Sequence, residues 1–517
     1  MTTVRDAVFH LLREFGMTRV FGNPGSTELP MFRAFPDDFD YVLALQESVA
    51  IGMADGYAQA TRNAAVVNLH SAVGTGHALG NIFTAYRNRT PLVIIAGQQS
   101  RSILPYQPFL YAEQATEFPK PYVKFSVEPA RAEDVPAAIA RAYYTAMQAP
   151  RGPVFVSVPI DDWDQPCELL EPRTVSRQGR GDRALLAALA DALAKAKSPV
   201  IVAGPEAARD GAWDETIALA EAHRAPVWVS PMSSRNSFPE DHPLFAGFLA
   251  AAREPIVQAL AGHDLVLVLG AAVFTYHVEG FGPHVPDGAT LYQLIDDPSL
   301  AASAPVGTSI VGDIRDALAT LLHDPAPGRP VPGPFPRAET PGAAPLTDAY
   351  LLSRLAALRD PGSIIVEEAP SSRGPMHDHL PILRRDSFYT CASGGLGHGL
   401  PAAIGVALGR PGEKVIAVIG DGSAMYAIQG LWSAAQLGLP ISFIIINNHR
   451  YEALIGFGRR FGMNDTIGTK LEGIDFVGLA RAQGISAERV ESAGTLDAAL
   501  HRSLAATGPT LVEVIVA

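Results

Sequence analysis

The chain has 517 residues, of which 48% are apolar and 18% charged, a balance that excludes a disordered or low-complexity polymer and predicts about three domains. Its net charge of −13, from 40 Lys and Arg against 53 Asp and Glu with no long basic run, argues against a nucleic-acid partner. Apolar runs such as residues 444–446 are too short to cross a membrane, and residues 1–6 lack a charged-then-apolar leader, so a cytoplasmic protein with no membrane partner is expected. Two cysteines, Cys167 and Cys391, cannot supply a disulfide framework or a four-ligand zinc site.

The first expected domain covers residues 1–170. Residues 66–70, 91–97 and 154–159 are short, β-branched and apolar with turn residues after them, which predicts strands buried in a parallel sheet. The alanine-rich stretch 132–149 reads as a helix between two of them. A polar joint at 171–182 leads to the second expected domain, 183–324, with strands at 200–203, 227–229 and 265–270. Prolines 325, 327, 330, 332, 334, 336, 341 and 345 forbid helix and mark a linker. The third expected domain, 347–517, has strands near 364–366, 415–419 and 441–446. Strands alternating with helices throughout predict three doubly wound α/β domains with mostly parallel sheets.

In the third domain, the strand at 415–419 runs straight into Gly420-Asp421-Gly422-Ser423, and residues 444–446 run into Asn447-Asn448. Open α/β sheets bind ligands outside the carboxyl ends of their strands. Gly420 and Gly422 let the backbone approach a phosphate, and the next helix offers its first N–H groups. Asp421 and Asn448 supply one charged and one neutral oxygen, which suits Mg²⁺, with Ca²⁺ as a substitute. A strand-ending turn explains either half alone but poorly explains both. A P-loop is absent, and no Gly-x-Gly-x-x-Gly fingerprint follows the first strand of any unit.

This pair of segments resembles the diphosphate-and-metal motif of thiamine-diphosphate-dependent enzymes, a likeness that extends over most of the chain. The resemblance implies that Glu47, ahead of residues 50–60 (Ala-Ile-Gly-Met-Ala-Asp-Gly-Tyr-Ala-Gln-Ala), exchanges a proton with the cofactor's ring nitrogen N1′. Taken alone, it would be a helix-starting glutamate that satisfies the dipole. Stretches 21–30, 68–76 and 270–277 look like the benzoylformate decarboxylases of that family and imply an active-site serine and two histidines at Ser26, His70 and His277. His77 and His263 lack that support and read as structural.

By the same resemblance, the carbonyl of Gly394 holds the cofactor's amino group, and Leu396 bends the cofactor so that its two rings meet. Asn23, Pro24, Gly25, Ser371, Gly420, Asp421, Gly422, Ser423, Asn448 and Tyr451 complete the implied cofactor-binding set. The metal would be held by Asp421, Asn448 and the backbone carbonyl of Arg450. Phe109, Leu110, Ala453, Leu454 and Phe457 would line an aryl pocket. Pro370, at a position that contacts the cofactor in the family, and Glu452, Arg459 and Arg460, near the pocket segment, depart from the decarboxylase pattern in ways that bear on the substrate more than on the cofactor.

The resemblance therefore implies non-oxidative decarboxylation of an aromatic 2-oxo acid to an aldehyde and CO₂, with carboligation as a side activity. In the family each cofactor lies between two chains, so a homotetramer built as a dimer of dimers is expected. Two alternatives stand beside this reading: an acetohydroxyacid-synthase-like carboligase, and a catalytically silent cofactor-binding protein.

Overall fold

The structure, a computed structural model, describes residues 2–176, 179–323, 328–333 and 335–517. Linker prolines 325, 327 and 334 lie outside the described residues. Three six-stranded parallel sheets, flanked by helices, form the frame. In spatial order the first sheet runs Asp40–Leu43, Arg19–Gly22, Ala65–Leu69, Leu92–Gln98, Val154–Pro159, Ser126–Val127. The third repeats that order with Phe388–Thr390, Ile364–Glu368, Val415–Gly420, Ile441–Asn447, Thr510–Ile515, Ser486–Val490. In each, strand order reverses between the first and third strands in the chain, which opens a crevice at their carboxyl ends. The middle sheet runs Phe245–Phe248, Val227–Val229, Pro199–Ala203, Leu265–Leu269, Thr290–Ile295, Thr308–Val311, the strand order of a dinucleotide-binding fold.

The expected strands at 154–159 and 227–229 coincide with observed ones, and the other expected strands agree within two residues at either end. The expected helix at 132–149 is Val135–Met147, preceded by the tight turn Ala132–Asp134. Strands Arg19–Gly22, Phe245–Phe248 and Thr308–Val311 were not anticipated; each is four residues long, and the last two are only partly buried.

Contacts divide the chain into two compact units, Met1–Val175 with Gly342–Arg373 and Ser393–Ala517, and Ser176–Pro341 with Gly374–Ala392. In the second unit, Arg235 lies over the Tyr389 ring at 4.2 Å and pairs with Asp386 at 2.7 Å, while Glu240 accepts the Ile382 N–H at 3.0 Å. Those contacts fasten residues 374–392 to the middle sheet's surroundings.

In the first unit, helices Glu47–Thr61 and Gly399–Gly409 pack backbone against backbone. A Cβ on Gly56 would lie 2.1 Å from the Ala402 carbonyl oxygen, and one on Gly405 would lie 1.8 Å from that of Met53. Gly52 meets Pro401 and Gly409 meets Ala60, so the two helices run in the same direction with their starts together. Asn81 ties those starts by donating to the Ser48 carbonyl at 2.8 Å and to the Gly397 carbonyl at 3.2 Å. One residue before the second helix, His398 pairs with Asp55 of the first at 3.0 Å, and both side chains are out of solvent. Asp55 also accepts from Thr90, Gln59 and Asn88, which satisfies its carboxylate.

Burial disfavours both charges of this pair, but their mutual attraction overcomes it. Asp55 is held below the usual carboxylate range by His398 and its hydrogen-bond donors, and His398 above the usual imidazole value by Asp55 and then Glu368. Replacing Asp55 with Asn strands the imidazole and should cost about 3–5 kcal/mol of unfolding free energy, read by urea denaturation. Asp55 contributes above the ordinary carboxylate pKa of about 4, and His398 below the ordinary imidazole pKa of about 6.5. The stability advantage of wild type over Asp55→Asn/His398→Asn should therefore be largest near pH 5–6 (about the window between those values) and shrink as pH rises through the raised His398 value.

Candidate active site

At the switch point of the first sheet, strand Arg19–Gly22 leads into the loop carrying Asn23 to Ser26, and strand Ala65–Leu69 into His70. His70 is the residue before helix Ser71–Arg87. A Cβ on Gly25 would lie 2.0 Å from His70 Nδ1, so only glycine lets the loop lie against the imidazole. Asn23 anchors the loop by donating to the Ala44 carbonyl at 2.8 Å. Ser26 is exposed on its outer side.

A residue that the sequence reading missed organises this cluster. Glu28, 2% exposed, accepts the N–H groups of Gly25 at 2.9 Å and Gly97 at 3.0 Å and the Thr27 hydroxyl at 2.5 Å. Its Oε2 stands 2.8 Å from His70 Nδ1, and Thr27 Oγ1 lies 3.2 Å from the same nitrogen. Glu28 thereby sets the imidazole's orientation and, by accepting from Nδ1, leaves Nε2 outside this bond. Its position three residues after a glycine was the available signal, but its partner Gly97 is 69 residues away.

Glu47 starts its helix, with Gln46 as the capping residue accepting the Val49 N–H at 3.2 Å. Gly74 separates Glu47 from His70. A Cβ there would be 3.1 Å from Glu47 Oε1 and 3.4 Å from the His70 Cβ. The structure thus brings Glu47, His70 and the Gly25 loop to one crevice. It also places His77 Nδ1 3.1 Å from Glu47 Oε2, which the reading of His77 as structural had not foreseen.

Above the crevice runs a loop that includes Phe109 and Leu110. Ser71 Oγ donates to the Leu110 carbonyl at 2.9 Å, and the Gln99 amide to the Phe109 carbonyl at 2.6 Å. The Phe109 ring is 86% exposed in the single chain, so it lines no closed pocket there.

The third sheet presents the corresponding cluster at its own switch point. Glu368 ends one strand and accepts the N–H groups of Gly397 at 2.6 Å, His398 at 2.7 Å and Gly399. This carboxylate was also missed, and it fixes the loop that carries Gly394 and Leu396. Gly394 needs its φ of +72° and is open to solvent. Ser371 and Pro370 are exposed at the turn after Glu368. Gly420 precedes Asp421, Gly422 and Ser423, all buried in the first turn of the following helix. A Cβ on Gly422 would strike the Tyr451 ring at 2.1 Å. Asn448 Oδ1 accepts the Arg450 N–H at 3.1 Å, while Glu452 holds the Arg450 guanidinium at 2.5 Å and Arg459 at 3.4 Å. Ala453 and Phe457 are half-buried in helix Glu452–Arg460, and Leu454 is exposed.

These residues fit a diphosphate and a hard cation. Asp421 Oδ2 is buried and has no hydrogen-bond partner among the described residues, while Oδ1 accepts the Gly422 N–H at 2.7 Å. Burial pushes the Asp421 pKa upward, against the N–H groups of Gly422, His449 and Arg450. A buried, half-satisfied carboxylate of this kind is relieved by a cation. No cluster of three His, Cys, Asp or Glu occurs among the described residues, so phosphate and water would complete the coordination. His277 lies in the second unit, in the loop after strand Leu265–Leu269, with its N–H donating to the Ala251 carbonyl at 2.9 Å.

Removing the Glu28 carboxylate leaves two backbone N–H groups without acceptors and frees the imidazole. Glu28→Ala should lose about 2–5 kcal/mol of stability in urea titration. Glu28→Gln should stay folded yet lower kcat by roughly 10- to 100-fold through misorientation of His70.

Residues 2–117, 186–321 and 371–514 match the N-terminal TPP binding, central and C-terminal TPP binding domains of thiamine pyrophosphate enzymes. The chain is 43% identical over 521 residues to benzoylformate decarboxylase of Pseudomonas aeruginosa, covering 99% of both. The crystal structure of benzoylformate decarboxylase from Polynucleobacter necessarius superposes with a TM-score of 0.97 at 39% identity, covering 100% of this chain and 99% of that one. The thiamine diphosphate-dependent 4-hydroxybenzoylformate decarboxylase of Rhodococcus jostii RHA1 does so with a TM-score of 0.96 at 40% identity and the same coverage. With its sheets, its glycine-bordered crevices and this similarity along its whole length, the chain belongs to the thiamine pyrophosphate enzyme family.

Proposed function

We propose that this protein is a carboxy-lyase that decarboxylates an aromatic 2-oxo acid of the phenylglyoxylate type to an aldehyde, with thiamine diphosphate and Mg²⁺ as cofactors. The observation that carries the reading is the crevice in which Glu47 and the Glu28-oriented His70 flank Gly74. When bound, thiamine diphosphate supplies the carbon nucleophile and electron sink for loss of CO₂. Glu47 holds or releases a proton at N1′ through Oε1. Ser26 binds the substrate carboxylate. His70 moves protons at the substrate's carbonyl oxygen, and His277 serves the later proton delivery and release of product. Asp421, Asn448 and the Arg450 carbonyl hold the metal, Asn23, Pro24, Gly25, Gly394, Leu396 and Tyr451 cradle the organic rings, and Ser371, Gly420, Gly422 and Ser423 take the diphosphate.

Phe109, Leu110, Ala453, Leu454 and Phe457 supply apolar walls that favour a flat acyl group. Names of two similar proteins, a benzoylformate and a 4-hydroxybenzoylformate decarboxylase, support this class. Carboligation follows as a side activity when a second aldehyde is present. The active protein is proposed to be a cytoplasmic homotetramer of three-domain chains (1–170, 183–324 and 347–517), with cofactors between chains. Large exposed apolar side chains, Tyr106 at 81%, Phe109 at 86%, Phe461 at 77% and Ile467 at 94%, support burial against a second copy.

Three outcomes test the reading. Phenylglyoxylate should be turned over with higher kcat/KM than pyruvate, and Phe457→Ala should narrow that gap by about 1–3 kcal/mol of transition-state binding. A preference for pyruvate would remove the aryl assignment. Glu47→Gln should bind cofactor nearly normally while slowing exchange of its C2 proton by orders of magnitude, followed by NMR in deuterated water. Asp421→Ala should abolish retention of both metal and cofactor in calorimetric titration.

A further inference from the structure

The side chain of Glu47 is held from one side only. Its Oε2 is 3.1 Å from His77 Nδ1, while among the described residues its Oε1 accepts no hydrogen bond. His70, Gly74 and His77 follow one another at spacings of four and three, so they share a face at the start of helix Ser71–Arg87. The neighbouring Gln46 reaches the His77 carbonyl at 3.5 Å, and it fixes the helix start beside Glu47 rather than the imidazole. Within 4.0 Å, Glu47 is the charged partner of His77 among the described residues, and the other imidazole nearby, His70, is engaged by Glu28. In the single chain the Glu47 side chain is 12% exposed and that of His77 57% exposed, so there the imidazole lies between a nearly buried carboxylate and solvent.

We propose that His77 is a proton relay between solvent and the activating carboxylate Glu47, a role that rests on the reading of Glu47 given above. The proton balance is simple. When Glu47 gives its proton from Oε1 to the ring nitrogen, Oε2 takes the Nδ1 proton of the neutral imidazole while water or buffer delivers a proton to its bare, solvent-side Nε2, leaving the Nε2–H tautomer. On the return Oε1 takes the proton back, Oε2 returns its proton to Nδ1, and Nε2 releases one to solvent. An imidazole is suited to this because its two nitrogens can accept and donate on opposite sides of one ring. His77 is also a positioning residue, since its bond turns the free Oε1 toward the crevice.

The two contributions are separable. His77→Asn keeps a hydrogen-bond donor for Oε2 but cannot carry a proton, whereas His77→Ala removes both and leaves an opening for a small base. A relay predicts that both variants exchange the C2 proton of bound thiamine diphosphate at least about tenfold more slowly than wild type. It also predicts that added imidazole restores the rate of His77→Ala in proportion to its concentration. In the cofactor-free protein, ¹⁵N NMR of the neutral imidazole should show His77 with its proton on Nδ1. Glu47→Ala should release it to the Nε2–H tautomer. Wild-type exchange in His77→Asn overturns the relay, as does His77→Ala that imidazole cannot restore, or a His77 tautomer indifferent to Glu47. Fast exchange in Glu47→Gln would instead remove the reading of Glu47 itself, so the two failures are told apart.

Discussion

The placement of Glu47 and of the loop that carries Gly394 and Leu396 depends on the direct contact between two helical backbones. Gly56 and Gly405 leave no room for a Cβ between helices Glu47–Thr61 and Gly399–Gly409. At that separation the helices cannot slide without a clash; Asn81 ties their starts, and His398 joins the start of the second to Asp55 in the middle of the first. One start is Glu47; just ahead of the other lies the loop with Gly394 and Leu396. Packing here fixes positions more than it supplies hydrophobic stabilisation, because glycine brings almost no apolar surface to bury.

Above this base, both crevices use one device. A buried glutamate near a strand end gathers backbone N–H groups and so shapes a glycine-rich loop. Glu28 takes those of Gly25 and Gly97, and Glu368 those of Gly397, His398 and Gly399. A carboxylate accepting several N–H bonds is well satisfied in a low-dielectric site, where neutral side chains would leave donors unmet. Burial still pushes the Glu368 pKa up, against those N–H donors and His398. In the first crevice Glu28 goes further: Oε2, which accepts the Gly25 N–H, also stands against His70.

Much of this was legible in the sequence, for identifiable reasons. Fully buried strands such as Val154–Pro159 are continuous apolar runs, so their positions follow from composition alone. Edge strands such as Thr308–Val311 are short and half-exposed and give no such signal. Glu47 and Asp421 stand at strand-to-helix junctions inside recognisable motifs. Glu28, Glu368 and His77 act through partners that only folding supplies: Gly97, the Gly397–Gly399 loop and Glu47. Asp55 and His398, 343 residues apart, illustrate the same limit.

The helix contact is reciprocal: Gly56 meets Ala402, and Gly405 meets Met53. Each helix offers a glycine and receives the other's backbone at the matching position, as two halves of a local twofold would. Neither helix can therefore shift alone without a clash. Any enlargement on one side is answered at the same level on the other, so the base of the site is constrained as a pair. The loops above it, with Phe109 on one and Pro370 on another, lie exposed and free of that bond. Substitutions in the rim therefore meet no such backbone, while one at Gly56 or Gly405 strikes it directly.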